Sequence, residues 1–174
     1  METFKIAFEI DPDLIAQAQA LTPDEFLAGP GRDRSDIVID QIFATALPTS
    51  IADLALDAGL TLKDGQPGEA NTWPVIATSH AILFKEVVDP VHGIDFGVSA
   101  HDAITDQILG LYTGCTLVVD AANRGQGLGA ALVQLRYLRN GDLPLWAHDE
   151  AGFTPAGEAT HLSAHRRVAD MSPS

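Results

Sequence analysis

Apolar residues at every second position open the chain. Phe4, Ile6, Phe8 and Ile10 alternate with Lys5, Ala7 and Glu9, the period of a half-buried strand. The period then changes. Asp11-Pro12 supplies an N-cap and a proline at the first helical position, and Leu14, Ile15, Ala18 and Leu21 follow at helical spacing. Thr22-Pro23-Asp24-Glu25 repeats the cap for a short second helix that Gly29-Pro30-Gly31 ends. Ser35 or Asp36 caps a third, carrying Ile37, Ile39, Ile42, Phe43 and Leu47. Pro48-Thr49-Ser50 breaks it, and Ile51 to Ala58 forms one more, closed by Gly59.

Residues 61–72 read as loop from their Gly and Pro content. Val75 to Val87 reads as one long strand that turns at Asp89-Pro90-Val91-His92-Gly93, and Ile94 to Val98 as a short strand. Ser99-Ala100-His101-Asp102 has the look of a cap, predicting a helix through Ile104, Ile108 and Leu111 that Gly114 stops. Cys115 to Asp120 is a strand and Gly127 to Arg139 a helix. Asn140-Gly141-Asp142 then turns the chain into the strand Leu143 to Ala147. Thr154-Pro155-Ala156-Gly157-Glu158 supplies an N-cap, a first-turn proline and a capping-box glutamate for a last helix over 155–169. The order is that of an α/β fold. With no repeat and no long linker, residues 1–174 are expected to form one domain, helical over 1–72 and sheet-based over 73–174.

Composition changes this picture little: 46% apolar and 20% charged residues are those of a globular protein. Met1-Glu2-Thr3-Phe4-Lys5 lacks the basic start and apolar core of a signal peptide. No apolar run reaches membrane-span length. A lone cysteine, Cys115, forms no intrachain disulfide, so a cytoplasmic location is expected. Charge says more. Residues 1–120 hold 5 basic and 19 acidic side chains, and residues 121–174 hold 5 of each. An acidic surface repels nucleic acid and anionic lipid, so neither is an expected partner. It attracts a cationic partner such as an amine, although acidic surfaces also serve solubility alone.

The most informative segment is Arg124-Gly125-Gln126-Gly127-Leu128-Gly129, set between the apolar run ending Val118-Val119 and the helix that begins near Ala130. Glycines let the backbone turn sharply and approach a ligand. The first N–H groups of the helix point outward with the positive end of the dipole behind them, a ready site for phosphate. Arg124 offers a charge-assisted contact at the rim.

Arg-x-x-Gly-x-Gly between a strand and a helix resembles the acyl-CoA-binding motif of the GNAT N-acetyltransferase superfamily, over roughly residues 115–165. The resemblance implies a GNAT-like α/β fold with a mixed central sheet, and acetyl-CoA as cofactor. It places Arg124, Gly125, Gln126, Gly127, Leu128, Gly129 and Ala130 at the pyrophosphate, beside Val118 and Val119. The implied activity is acyl transfer to an amine acceptor. Two departures stand out. A helix takes the place of a hairpin between the third and fourth strands, and the chain ends without the two strands that commonly close the acceptor pocket. A sheet edge left open in this way predicts a homodimer. Two other readings of the motif remain: Gly125-x-Gly127-x-x-Ala130 also satisfies the dinucleotide fingerprint, with Asp149 at a suitable distance, and a tight turn needs no ligand.

The glutamate and tyrosine that serve this family as base and acid are missing. By the resemblance the tyrosine position falls at or near His161, with His165 one turn later on the same face. Tyr112 is a weaker substitute. A histidine titrating near 6.5 is suited to protonate a thiolate, while packing against the sheet is the plainer role. His148 and Asp149 are candidates to handle the acceptor amine, and Asp120 reads as a loop cap. Cys115 reads as core rather than as an acyl-accepting nucleophile. Arg166 and Arg167 either reach CoA phosphates or complement the helix dipole.

Overall fold

The structure, a computed structural model, describes residues 5–37, 62–63, 66–67, 70–88, 97–113, 116–141 and 153–172. It is a mixed α/β protein with a six-stranded antiparallel sheet and four helices among these residues. The chain gathers into two compact units. One comprises residues 1–9 and 48–132, the other residues 10–47 and 133–174.

The first unit is built on the sheet β1(Lys5–Ile6), β4(Val75–Ser79), β5(Ile82–Val87), β6(Gly97–Asp102), β7(Ile108–Thr113), β8(Thr116–Val119), in that spatial order. Every neighbouring pair is antiparallel. A separate ladder joins β2(Leu62–Lys63) to β3(Gln66–Pro67), within the segment expected to be loop. Three further expectations are corrected. The alternation from Phe4 to Ile10 yields a strand of only Lys5–Ile6, extended by one bond from Ala7 N–H to the Ile76 carbonyl at 2.8 Å.

The long strand Val75 to Val87 is a hairpin instead. His80 sits at φ 43°, the left-handed region that turns a chain without glycine, so Ser79 pairs directly with Ile82.

The helix expected after Asp102 does not form. The Asp102 carboxylate accepts from the N–H groups of Ile104 (2.8 Å) and Thr105 (2.9 Å), as a cap would. Asp106 then adopts φ 59°, and the chain returns as β7. A short polar side chain that bonds the backbone ahead of it starts a turn as readily as a helix. The strand formers Ile108, Leu109, Leu111 and Tyr112 decide the outcome.

Helix α3(Leu128–Asn140) runs from the first unit into the second. Its start lies over β7, where a Cβ on Gly110 would come within 2.9 Å of Leu132 Cδ1 and 3.6 Å of Leu128 Cδ2. Glycine here permits close helix–sheet packing. Leu132 is fully buried, a burial that stabilises by roughly 1.5–3 kcal/mol.

In the second unit, α4(Pro155–Ala169) packs on α1(Pro12–Ala20) and α2(Pro23–Ala28). The sequence caps are realised at α1 and α2: Asp11 accepts from Asp13 N–H, and Thr22 and Glu25 form a reciprocal capping box. Asp33 caps the 3₁₀ turn Arg34–Asp36; the helix expected through Ile39, Ile42, Phe43 and Leu47 lies outside the described residues. At α4, Thr154 caps Gly157 N–H. Glu158 falls one residue past the capping-box position and its carboxylate pairs with Arg34 instead. Buried Tyr137 donates its hydroxyl to the Leu14 carbonyl at 2.8 Å; burial pushes its pKa up to about 12, which keeps the donor proton in place. The helix expected over 51–58 and the strand expected over 143–147 lie outside the described residues.

Candidate functional site

Strand β8 ends at Val119, whose carbonyl already faces a new partner. Asp120 N–H bonds back to Leu109 at 2.8 Å, Ala121–Asn123 makes one 3₁₀ turn, and the chain then enters the glycine segment. Asp120 accepts from the Asn123 amide at 3.2 Å, a bond that braces the loop. Arg124 folds inward: its Nε donates to the Val119 carbonyl at 2.9 Å, tying the loop to the strand it left. Arg124, Gly125 and Gln126 are exposed.

Gly125 and Gly127 have φ of 77° and 81°, a conformation that costs an L-residue roughly 1–2 kcal/mol. A Cβ at Gly125 would meet nothing within 4 Å. Glycine is required there by the backbone and not by the packing, and the space over it is open. The first intrahelical bond runs from Ala131 N–H to the Gly127 carbonyl at 3.1 Å. The N–H groups of Leu128, Gly129 and Ala130 therefore precede the helical ladder and have no intrahelical acceptor. Leu128, Ala130 and Val118 are buried, while Gly127, Gly129 and Val119 are half-buried. Strand, turn and helix N-terminus thus follow one another as the sequence predicts, in a single unit.

The proposed proton-transfer residues are placed differently. Tyr112 is fully buried on β7, on the same sheet face as Gly110 and hence toward α3. His161 and His165 belong to the second unit and are 3% and 6% exposed. His161 Nδ1–H donates to the Gly157 carbonyl at 2.6 Å, and its ring lies edge-on to Phe153. Burial pulls its pKa down to about 4, which corrects the expected titration near 6.5. His165 Nε2–H donates to the Ala18 carbonyl at 2.9 Å and packs on Phe26; its Nδ1 is buried without a hydrogen-bond partner. Arg166 is exposed and Arg167 half-buried in the last turn of α4, and burial lowers the Arg167 pKa. Cys115, His148 and Asp149 lie outside the described residues.

Comparison with family models, curated proteins and solved structures returns no match.

The structure also assembles a buried polar cluster that the sequence reading missed. Lys85 on β5 pairs directly with Ser99 on β6, which puts both on one face. Ser99 Oγ lies 2.7 Å from His101 Nε2, and His101 Nδ1 lies 3.1 Å from Asp106 Oδ1 and 3.2 Å from the Asp106 carbonyl. Lys85 Nζ donates to Asp106 Oδ1 at 2.8 Å. Ser99 and His101 are fully buried and Lys85 nearly so, while the Asp106 side chain is 34% exposed. In the sequence, Ser99 and His101 have the look of the approach to a helix. The alternation Ser99, His101 along a strand is the signal that places them together. Among the described residues no group of His, Cys, Asp and Glu has the arrangement of a metal site.

Proposed function

We propose that the chain is a CoA-dependent N-acyltransferase, with acetyl-CoA as donor and an amine of a small molecule or protein as acceptor. The observation that carries this reading is the pair of positive-φ glycines, Gly125 and Gly127, directly ahead of α3. Outward backbone N–H groups at the start of α3 suit an anion, and the open space over Gly125 leaves room for one. The balanced charge of residues 121–174 adds no repulsion. A hairpin, not a helix, joins β6 to β7, and β8, ahead of the glycine segment, is the sixth strand of its sheet.

Acetyl-CoA supplies the activated acyl thioester when bound. The residues of this chain bind and orient: the backbone of 125–130 holds the phosphates, Arg124 fixes the loop to β8, and the acidic residues of 1–120 draw a cationic amine. Tyr112, His161 and His165 are all buried, so on this reading solvent water carries the protons. A homodimer through the C-terminal strand, the last helix or the N-terminal helices belongs to the same proposal.

Calorimetry with acetyl-CoA tests the cofactor. Binding by the wild type and its loss in folded Gly127→Val is the expected result. Unchanged affinity in that variant would defeat the reading, and NADH binding without CoA binding would favour a dinucleotide site. Release of free thiol over an amine panel separates an enzyme from a binding module. Light scattering at micromolar concentration should report a dimer, and a clean monomer removes that part of the proposal.

A further inference from the structure

The buried cluster on β5, β6 and the β6–β7 turn has the three-part arrangement of a nucleophile, its base and the group that orients the base. Both acceptors near His101 Nδ1, the carboxylate and carbonyl of Asp106, are oxygens without a proton to give. Nδ1 therefore carries the ring hydrogen, and Nε2 presents its lone pair to Ser99 Oγ. Ser99 Oγ is 2.7 Å from that nitrogen and 3.3 Å from the Lys85 carbonyl. A hydroxyl has one hydrogen, and the shorter contact directs it to the imidazole. The ammonium of Lys85, on the strand position paired with Ser99, adds a buried positive charge to the same face.

We infer that Ser99, His101 and Asp106 form a closed nucleophilic site that accepts a small acyl group from an ester or thioester. In the acylation step Ser99 Oγ bonds to the acyl carbon and its proton passes to His101 Nε2. The bond from that carbon to the leaving oxygen or sulfur breaks, and the leaving group takes the proton from Nε2 as an alcohol or thiol. Water then attacks the serine ester, gives its proton to Nε2 and releases a carboxylic acid, with the proton returned to Ser99. Asp106 holds the tautomer and stabilises the transient imidazolium, and Lys85 favours the negative charge that develops on the acyl oxygen. Burial lowers the His101 pKa and the Lys85 charge adds to this, against the Asp106 carbonyl and carboxylate, which raise it. The site is closed over in this conformation: Trp73 stands edge-on to His101 at 6.1 Å between ring centroids, and the carbonyls of Ala70 and Asn71 lie 3.5 Å from Lys85 Nζ. Only small acyl groups are expected to enter, and only as this segment parts.

The site lies on different residues from the glycine loop, so its test does not depend on CoA binding. The full chain is incubated with methanesulfonyl fluoride, and separately with p-nitrophenyl acetate, and the adduct is mapped by peptide mass spectrometry. A single adduct on Ser99, absent in Ser99→Ala and formed about 10²-fold or more slowly in His101→Gln, is the expected result. The labelling rate should fall below neutral pH as His101 protonates, which a merely structural serine would not show. Failure of folded wild type to label at Ser99 would overturn the inference, since that measurement needs no variant. Equal labelling in folded His101→Gln would overturn it as well.

Discussion

The Nδ1 of His161 lies 2.6 Å from the carbonyl oxygen of Gly157, one turn earlier in the same helix. The carbonyl fixes the tautomer, and burial holds the ring neutral down to about pH 4. The unfolded ring takes up a proton near 6.5. Between these values the unfolded state binds more protons than the folded one, so stability rises with pH across the window and is complete above it. As pH falls from about 6.5 to 4, His161 should cost about 3 kcal/mol. Denaturant unfolding at pH 7, 5 and 4 should show this decline, and His161→Gln should flatten much of it. A residual slope is expected from His101, whose pKa is also lowered by burial.

Gly125 should tolerate asparagine better than alanine. At φ 77°, with no atom near a new Cβ, the cost is conformational and amounts to about 1–2 kcal/mol for an ordinary side chain. Asparagine visits this region more readily. Thermal unfolding without ligand should rank wild type, Gly125→Asn, Gly125→Ala, and acetyl-CoA affinity should fall in both variants.

Gly97→Ala should destabilise the sheet more than Gly110→Ala. A Cβ at Gly97 meets Thr113 Cγ2 at 2.8 Å, the Tyr112 carbonyl at 3.0 Å and Val87 Cβ at 3.1 Å, one of them rigid backbone. At Gly110 the closest atom, at 2.9 Å, is the end of the Leu132 side chain. Overpacking of this kind costs about 1–3 kcal/mol, with Gly97 expected toward the upper end. Chemical denaturation of the two variants checks the order.

Thr22→Ala should cost about 1 kcal/mol. The hydroxyl accepts from Glu25 N–H at 3.1 Å and the Glu25 carboxylate returns the bond to Thr22 N–H at 3.1 Å. The Glu25 pKa is lowered, chiefly by the Gly31 N–H that it also accepts, at 2.8 Å. A double-mutant cycle of Thr22→Ala with Glu25→Gln should therefore show coupling.

What the sequence made legible follows from how local each signal is. Asp11, Thr22 and Thr154 announce their helices because an N-cap acts within three residues. The glycine segment before α3 is legible for the same reason. The turns at His80 and Asp106 were missed because neither carries Gly or Pro at its left-handed residue. At Asp102 the cap chemistry is genuine but opens a turn, and only the strand pairing of β6 with β7 distinguishes the two. Ser99 and His101 meet by alternation along one strand, but Lys85 and Asp106 join them through sheet register and one turn, relationships that no single-strand pattern contains. The burial of His161 depends in the same way on its partners in three dimensions, among them Phe153.

The connectivity of the sheet also sets an order of assembly. From β4 to β8 every strand pairs with the next one along the chain, so each hairpin closes a short loop and contact order is low. β1 is different: Lys5 must find Thr78, across a span that contains α1 and α2. Closing that span costs more chain entropy than any hairpin beside it, and non-local pairings of this kind are slow to form. β1 is thus expected to dock after the hairpins from β4 to β8 have formed. Until it does, β4 is an open edge of a sheet otherwise already built.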